Sequence, residues 1–276
     1  MKLAINYSKQ AEALLKRGEI EIDLFKCPAL PHLIAMAQRE HGCYVHFGFR
    51  AGRGQMGKVN WDELTRLMKG TATIYMNAHL APCASDFAGM SLDARTPEDR
   101  ARLIDAMERD VGLLLERFER EVVILESAMW DPELGWEIPV LALEPEFIRQ
   151  VVMDTGCGFI LDLAHASISA RYFGIDARDY IEALPLHLLR ELHVSGVRKD
   201  EAGLWKDHYP LTEKDWSLFE WAMERIRNGD WPKPWVVTFE HGGADGEYEL
   251  RTDADLIVQQ VPRLREYARA AELGHT

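Results

Sequence analysis

Eight residues of metal-ligating type fall at or just beyond the ends of short apolar runs. They are His46 in CYVHFGF, His79 in TIYMNAHLA, Glu126 in VVILES, Asp162 and His165 in ILDLAH, His193 in ELHVSG, His208 in WKDHYP and Glu240 in VVTFEHGG. Asn6 and Lys26 follow the two earlier runs in the same way. A carboxylate that closes a buried apolar run is costly unless it is paired, hydrogen-bonded or metal-bound, so its repetition asks for one cause. Imidazole nitrogens give affinity for divalent metals, and carboxylates bridge ions and offset their charge. Five histidines and three carboxylates in this pattern therefore predict a cluster of divalent ions. Any one of them alone has a plainer explanation: a hydrogen-bonded histidine or a glutamate in a salt bridge.

The elements that would position these residues alternate along the chain. Strands are expected at 2–6, 21–25, 43–47, 72–77, 122–126, 159–162, 190–194 and 235–240. Helices are expected at 8–17, 31–40, 61–68, 97–118, 145–155, 176–184, 214–228 and 253–271. Ser8 is a cap candidate, and Thr96-Pro97-Glu98 and Glu144-Pro145-Glu146 have the form of helix starts. Met107 and Leu113-Leu114-Leu115 on the fourth helix read as a core stripe. Eight strand–helix alternations are the sequence form of a (β/α)8 TIM barrel, an α/β fold, here a single domain over residues 1–276. A doubly wound open sheet is the rival, disfavoured because no GxGxxG follows the first strand. In a barrel of this kind functional residues gather at the C-terminal ends of the strands, where the eight residues stand.

Lys and Arg number 32 and Asp and Glu 45, a formal net charge of −13. Such a chain repels nucleic acid and anionic membrane. With no apolar run of signal-peptide or spanning length, the expectation is a soluble cytoplasmic protein. Cys27, Cys43, Cys83 and Cys157 form no CxxC pair; Cys43 and Cys157 read as buried free thiols, while Cys83 lies in a loop near the predicted site. Gly52-Arg-Gly-Gln-Met-Gly57-Lys58 has P-loop spacing, but Val59 stands where a magnesium-binding hydroxyl is required, so a Gly-rich loop over the site is the better reading. Arg50, Arg53, Arg198 and Lys206, with Lys199, place positive charge where an anionic substrate group could be captured; a solvated charged loop is the alternative. Trp130, Trp136 and Trp205 are candidate pocket walls, and His241 is a candidate ligand or support for one. His32, His41, His187 and His275 read as ordinary.

The ligand order resembles that of the xylose-isomerase-like barrel superfamily, in particular its endonuclease IV branch. It is more similar still to the multinuclear non-haem iron barrels that include the methanobactin-biosynthesis oxygenases. DYIEALPLHLLRELHVSG, DHYPL and VVTFE carry most of the likeness. The resemblance implies one metal on His46, His79 and Glu126 and a second on Asp162, His193 and Glu240, with Glu126 bridging. A third would rest on His165 and His208. Those families place an Asp two residues before the last His, where this chain has Lys206, and Asp207 would point elsewhere on an extended backbone. The implied cofactors are two or three divalent ions, Fe favoured, with Zn or Mn as alternatives.

Three chemistries share this frame. The first is iron-dependent oxidation or oxygenation of a small or peptide substrate, which the resemblance couples to a partner protein. The second is sugar or sugar-phosphate isomerisation or epimerisation on one metal, with Glu126 and Glu240 as an acid–base pair and His165 and Arg198 orienting the sugar. The third, endonuclease IV-like phosphodiester cleavage, is disfavoured by the net charge and by Lys206. A metal-storage or sensing barrel would not need open coordination positions.

Overall fold

The computed structural model describes residues 1–131, 137–244 and 246–273. In chain order they form β1 (Lys2–Asn6), α1 (Lys9–Lys16), β2 (Leu24–Pro28), α2 (Pro31–Glu40), β3 (Cys43–His46), β4 (Arg50–Ala51), α3 (Trp61–Gly70), β5 (Met76–Leu80), α4 (Pro97–Leu115), β6 (Val123–Ser127), α5 (Pro145–Thr155), β7 (Gly158–Asp162), α6 (Leu163–Phe173) and α7 (Ala177–Glu182). They continue with β8 (Leu189–Val194), β9 (Gly196–Lys199), β10 (Trp205–Tyr209), α8 (Glu213–Asn228), β11 (Val236–Phe239), α9 (Gly246–Arg251) and α10 (Ala254–Leu273). No helix among the described residues is long and apolar enough to cross a membrane.

Two compact units result. The first comprises Met1–His46, Asp62–Ile74 and the described part of Leu189–Thr276. Its parallel strands run in the order β3-β2-β1-β11-β8, and β9 and β10 form a separate antiparallel pair. Register sets Asn6 beside Lys26, Lys26 beside Tyr44, and Thr238 beside His193. Below that level Ala4, Leu24, Tyr44 and Val236 form a buried apolar layer, capped by Trp235 and Ala72. The polar residues thus stand at the C-terminal ends of strands whose N-terminal halves are core.

The second unit comprises Phe47–Trp61 and Tyr75–Leu188, with parallel strands in the order β4-β5-β6-β7. Here Arg50 pairs with His79, His79 with Glu126, and Glu126 with Ile160. In-register residues of neighbouring strands share a face, so Arg50, His79 and Glu126 are aligned, and Asp162 lies one pleat further along. Helix α4 starts at a capping box, Thr96 with Asp99, and buries Leu103, Met107, Val111 and Leu114 at helical spacing. Leu113 and Leu115 are only partly buried.

Two strands run further than expected, each because a polar residue is satisfied inside. Strand β2 continues through Lys26, whose ammonium reaches the Glu240 carboxylate. Strand β5 continues past Asn77, whose amide accepts from the Phe47 N–H at 2.7 Å and donates to the Phe47 carbonyl at 3.0 Å. Helix α6 was not foreseen: Leu163 to Ala170 are all buried, so no amphipathic stripe marks it. The Ser8 cap forms as expected, whereas Glu144 makes no side-chain cap bond and leaves the start of α5 to Pro145. All four cysteines are free and buried. Trp136 and His275 lie outside the described residues.

Candidate metal centre

In the second unit Glu126 sits between two imidazoles. Its Oε2 lies 3.4 Å from His79 Nε2 and its Oε1 lies 3.4 Å from His165 Nδ1. The spacing of Asp162 and His165 comes from a helix start: Asp162 is the N-cap of α6, and its Oδ1 accepts the His165 backbone N–H at 2.8 Å. The other carboxylate oxygen, Oδ2, is buried without a hydrogen bond and stands 3.8 Å from His165 Nε2. His165 Nδ1 lies 2.8 Å from the Ser127 carbonyl, which fixes the tautomer with the proton on Nδ1 and leaves the Nε2 lone pair facing Asp162. Glu126, Asp162 and His165 offer one donor atom each within 4.8 Å of one another, all buried.

This trio passes the test for a divalent metal. Two carboxylates and an imidazole are suitable donors, and a buried carboxylate oxygen with no proton donor is expensive unless a cation completes it. The resemblance put His165 with His208; the second unit groups it with Glu126 and Asp162.

In the first unit Glu240 is the centre. Its Oε1 meets the Lys26 ammonium and lies 3.0 Å from His193 Nδ1, while its Oε2 lies 3.7 Å from His208 Nε2. The opposite edge of His193, Nε2, lies 3.2 Å from Glu191 Oε2, and the His46 ring packs edge-on against His193 with centroids 5.3 Å apart. Glu191 and Lys26 were not among the expected site residues. The period-two spacing Glu191-x-His193 on one strand face was the available signal for the first. For the second the signal was an uncompensated lysine in an apolar run.

His208 has a left-handed backbone, φ 60°, at an irregularity in the pairing of β9 and β10. Such a conformation is costly for a residue with a Cβ and turns the neighbouring side chains. As a result Asp207, expected to point away, is buried with its Oδ2 3.6 Å from His208 Nε2. The irregularity brings to His208 the carboxylate that Lys206 had removed from the motif. His208 Nδ1 lies 3.2 Å from Asn6 Nδ2 and 3.3 Å from the Gly242 carbonyl, to which Asn6 donates, and its ring packs on Tyr248.

His241 is fully engaged, with Nδ1 3.2 Å from the His208 carbonyl and Nε2 accepting the Asp253 N–H at 3.1 Å. Burial lowers its pKa, in keeping with a neutral ring that supports His208 and ligates nothing. Arg53 pairs with Asp86, Nε to Oδ2 at 2.7 Å. Arg198 donates to the Val197 and Pro210 carbonyls, at 3.4 and 2.9 Å, and Lys206 is buried. The P-loop-like turn is closed by the protein itself, since Asp110 Oδ2 accepts from Gly52 and Gly54 at 2.8 and 2.9 Å where a phosphate would have to sit. Trp130 packs on Tyr172, and Lys199 lies over Trp205. Cys83 Sγ lies 3.1 Å from Ser85 Oγ.

Comparison with known proteins agrees with the fold. A D-tagatose 3-epimerase-like protein superposes with a TM-score of 0.60 at 14% identity, covering 99% of this chain and 98% of that one. The IOLI protein, in a structure with a zinc atom, superposes with a TM-score of 0.57 at 13% identity over 100% of both chains. The fold is therefore the xylose-isomerase-like (β/α)8 barrel, as the strand–helix alternation predicts.

Within that class, residues 134–233 match the family model described as RiPP precursor modification enzyme MbnB/TglH/ChrH. That segment contains Asp162, His165, His193 and His208. A UPF0276 protein of Caulobacter sp. (strain K31) is 28% identical over 145 residues, 51% of this chain and 49% of the relative. The chain spans about half the length of the curated relatives first matched. Candidate metal-binding residues thus stand on this fold.

Proposed function

We propose that this chain is a multinuclear non-haem iron enzyme that oxidises or oxygenates a peptide substrate. In a (β/α)8 barrel functional residues stand at the C-terminal ends of the strands, where the ligand set of each unit lies. Glu126, Asp162 and His165 would hold an ion from the second unit. His79 would add a donor beside Glu126 in that unit, and His46, His193 and Glu240 would be the donors of the first unit. His208, with Asp207, would flank Glu240. The observation that carries the reading is the buried Asp162 Oδ2 that makes no hydrogen bond, beside a histidine whose Nε2 is turned toward it.

Bound iron would supply the redox chemistry and an attachment point for a substrate heteroatom such as a thiolate. The protein's own contribution is orientation and charge. Ser127 fixes the His165 tautomer, Glu191 holds His193, and Lys26 offsets Glu240. The −13 formal charge, with three site carboxylates inside it, suits a substrate other than nucleic acid.

The epimerase-like neighbour supports a second reading, proton transfer by Glu126 and Glu240 around one metal. Purification without oxygen or chelator, metal analysis, and addition of a cysteine-containing peptide separate the two. The iron reading expects about two or more Fe per chain, a thiolate charge-transfer band and oxygen uptake. One Mn or Co per chain, with metal content unaltered by His46→Ala, would overturn it in favour of the epimerase.

A further inference from the structure

A residue with a Cβ keeps a left-handed backbone only where its surroundings over-determine it, and His208 has such a backbone. Within the first unit the restraints are explicit. The His208 N–H donates to Ser195 Oγ at 3.1 Å, and its carbonyl accepts the Gly242 N–H at 3.0 Å and lies 3.2 Å from His241 Nδ1. A further restraint comes from α9, in the form of Arg251, whose side chain is 10% exposed.

Arg251 Nη1 donates to the Asp207 carbonyl at 3.1 Å and lies 3.9 Å from Asp207 Oδ1. Asp207 therefore turns one oxygen to the guanidinium and the other, Oδ2, to His208 Nε2 at 3.6 Å. The guanidinium also lies over two rings, 5.1 Å from the Tyr209 centroid and 5.4 Å from that of Tyr248. Tyr248 in turn packs on the His208 ring, with centroids 4.3 Å apart. Arg251 thus reaches the Asp207–His208 pair twice, through the carboxylate and through the ring.

The helix that carries Arg251 is itself latched. Nη2 pairs with Glu247 one turn back, and Thr252 Oγ1 accepts the Gly243 N–H at 3.1 Å and lies 3.0 Å from the Tyr248 carbonyl. Gly242 permits this approach, since its φ is +63° and a Cβ there would collide with Thr252 Oγ1. His208 Nε2 is left with two carboxylate oxygens near it, Asp207 Oδ2 at 3.6 Å and Glu240 Oε2 at 3.7 Å, a donor set of the kind a divalent ion takes.

We propose that Arg251 is a positioning residue, which holds Asp207 and His208 in register with Glu240 and so sets the affinity of the first unit for a divalent ion. The assignment rests on the metal-enzyme reading above. Arg251 touches neither ion nor substrate. A planar guanidinium suits the task, because its edge donates to Asp207 and Glu247 while its face packs on tyrosine; a lysine keeps the charge and loses the fork and the stacking.

The test uses the full chain loaded with Fe(II) under nitrogen, with ion affinities read by competition with a chelator and the fold by circular dichroism. Arg251→Met should weaken one ion by about tenfold to a hundredfold, the range for loss of a group that orients a ligand. The ion on Glu126, Asp162 and His165 should be held as in the parent. Arg251→Lys should fall between. Asp207→Asn should weaken the same ion, and Arg251→Met added to it should cost less than the product of the two single effects, since both act through one carboxylate. Arg263→Met, which removes a guanidinium lying 4.1 Å over Trp216 elsewhere in the first unit, should bind every ion like the parent. Should Arg251→Met fail to fold, Arg251→Lys and Tyr209→Leu, which removes one ring beneath the guanidinium, carry the same comparison. An Arg251 variant that folds and loosens no ion, or effects that multiply fully with Asp207→Asn, would overturn the role while leaving the metal reading in place. A parent that binds no ion would overturn both.

Discussion

Replacing Lys26 by Met removes a positive charge from beside a carboxylate while keeping the length of the stem. Lys26 and Glu240 are 8% and 2% exposed, and the ammonium contacts the Glu240 carboxylate. Truncating one partner of a buried ion pair costs about 3–5 kcal/mol, because the other charge stays in a poor solvent. For a domain of this size that corresponds to a fall in Tm of roughly 6–20 °C in metal-free protein. On the proposed reading a divalent ion on Glu240 would take over the ammonium's role, and in the parent it would first have to compete with that ammonium. The stabilisation by metal, about 4 kcal/mol at a thousandfold excess over Kd, should therefore be larger in Lys26→Met than in the parent. Thermal and denaturant unfolding with and without Fe(II), under nitrogen, measures both quantities. Equal metal-free stabilities, or equal metal-induced shifts, would refute the role given to Lys26.

Other expected outcomes concern support for the site and the frame around it. Glu191→Gln should loosen His193 and lower metal affinity tenfold to a hundredfold, read by competition with a chelator, with secondary structure unchanged. Gly52→Ala should cost about 1–3 kcal/mol in unfolding experiments, since φ +97° and the approach to Pro82 both oppose a Cβ. The hydrogen bond from the Tyr7 hydroxyl, first among the causes, lowers the Glu12 pKa from its ordinary 4.5. A depressed carboxylate contributes stability above its unfolded value and loses it as pH falls through the folded value. The acid limb of the stability profile below about pH 4.5 should accordingly be shallower in Glu12→Gln.

Much of the scaffold was legible because its cues are local. The β1 strand and the helices at Pro31 and Pro145 fall where alternation and first-turn proline put them, and the Thr96 cap forms its full box. Helix α6 was hidden because a helix buried on all sides has no stripe, and with it went the reason for the Asp162-x-x-His165 spacing, a cap and its third residue. The types of the metal ligands were legible as strand ends, whereas the place of His165 beside Glu126 and Asp162 was not. Grouping depends on which atom of each side chain faces which neighbour, as when Glu126 turns one oxygen to His79 and the other to His165. Asp207 shows the limit most clearly. An extended backbone would have carried it away from His208, and a left-handed residue at an irregular pairing brings it back.

The most direct measurement is the metal content of the chain purified without oxygen or chelator and reconstituted with Fe(II), beside Asp162→Asn and Glu126→Ala. About two or more ions per chain in the parent, with clear loss in both variants at unchanged secondary structure, is the predicted result. A parent that retains no stoichiometric metal, or variants that retain as much as the parent, would contradict the assignment of these buried carboxylates as ligands.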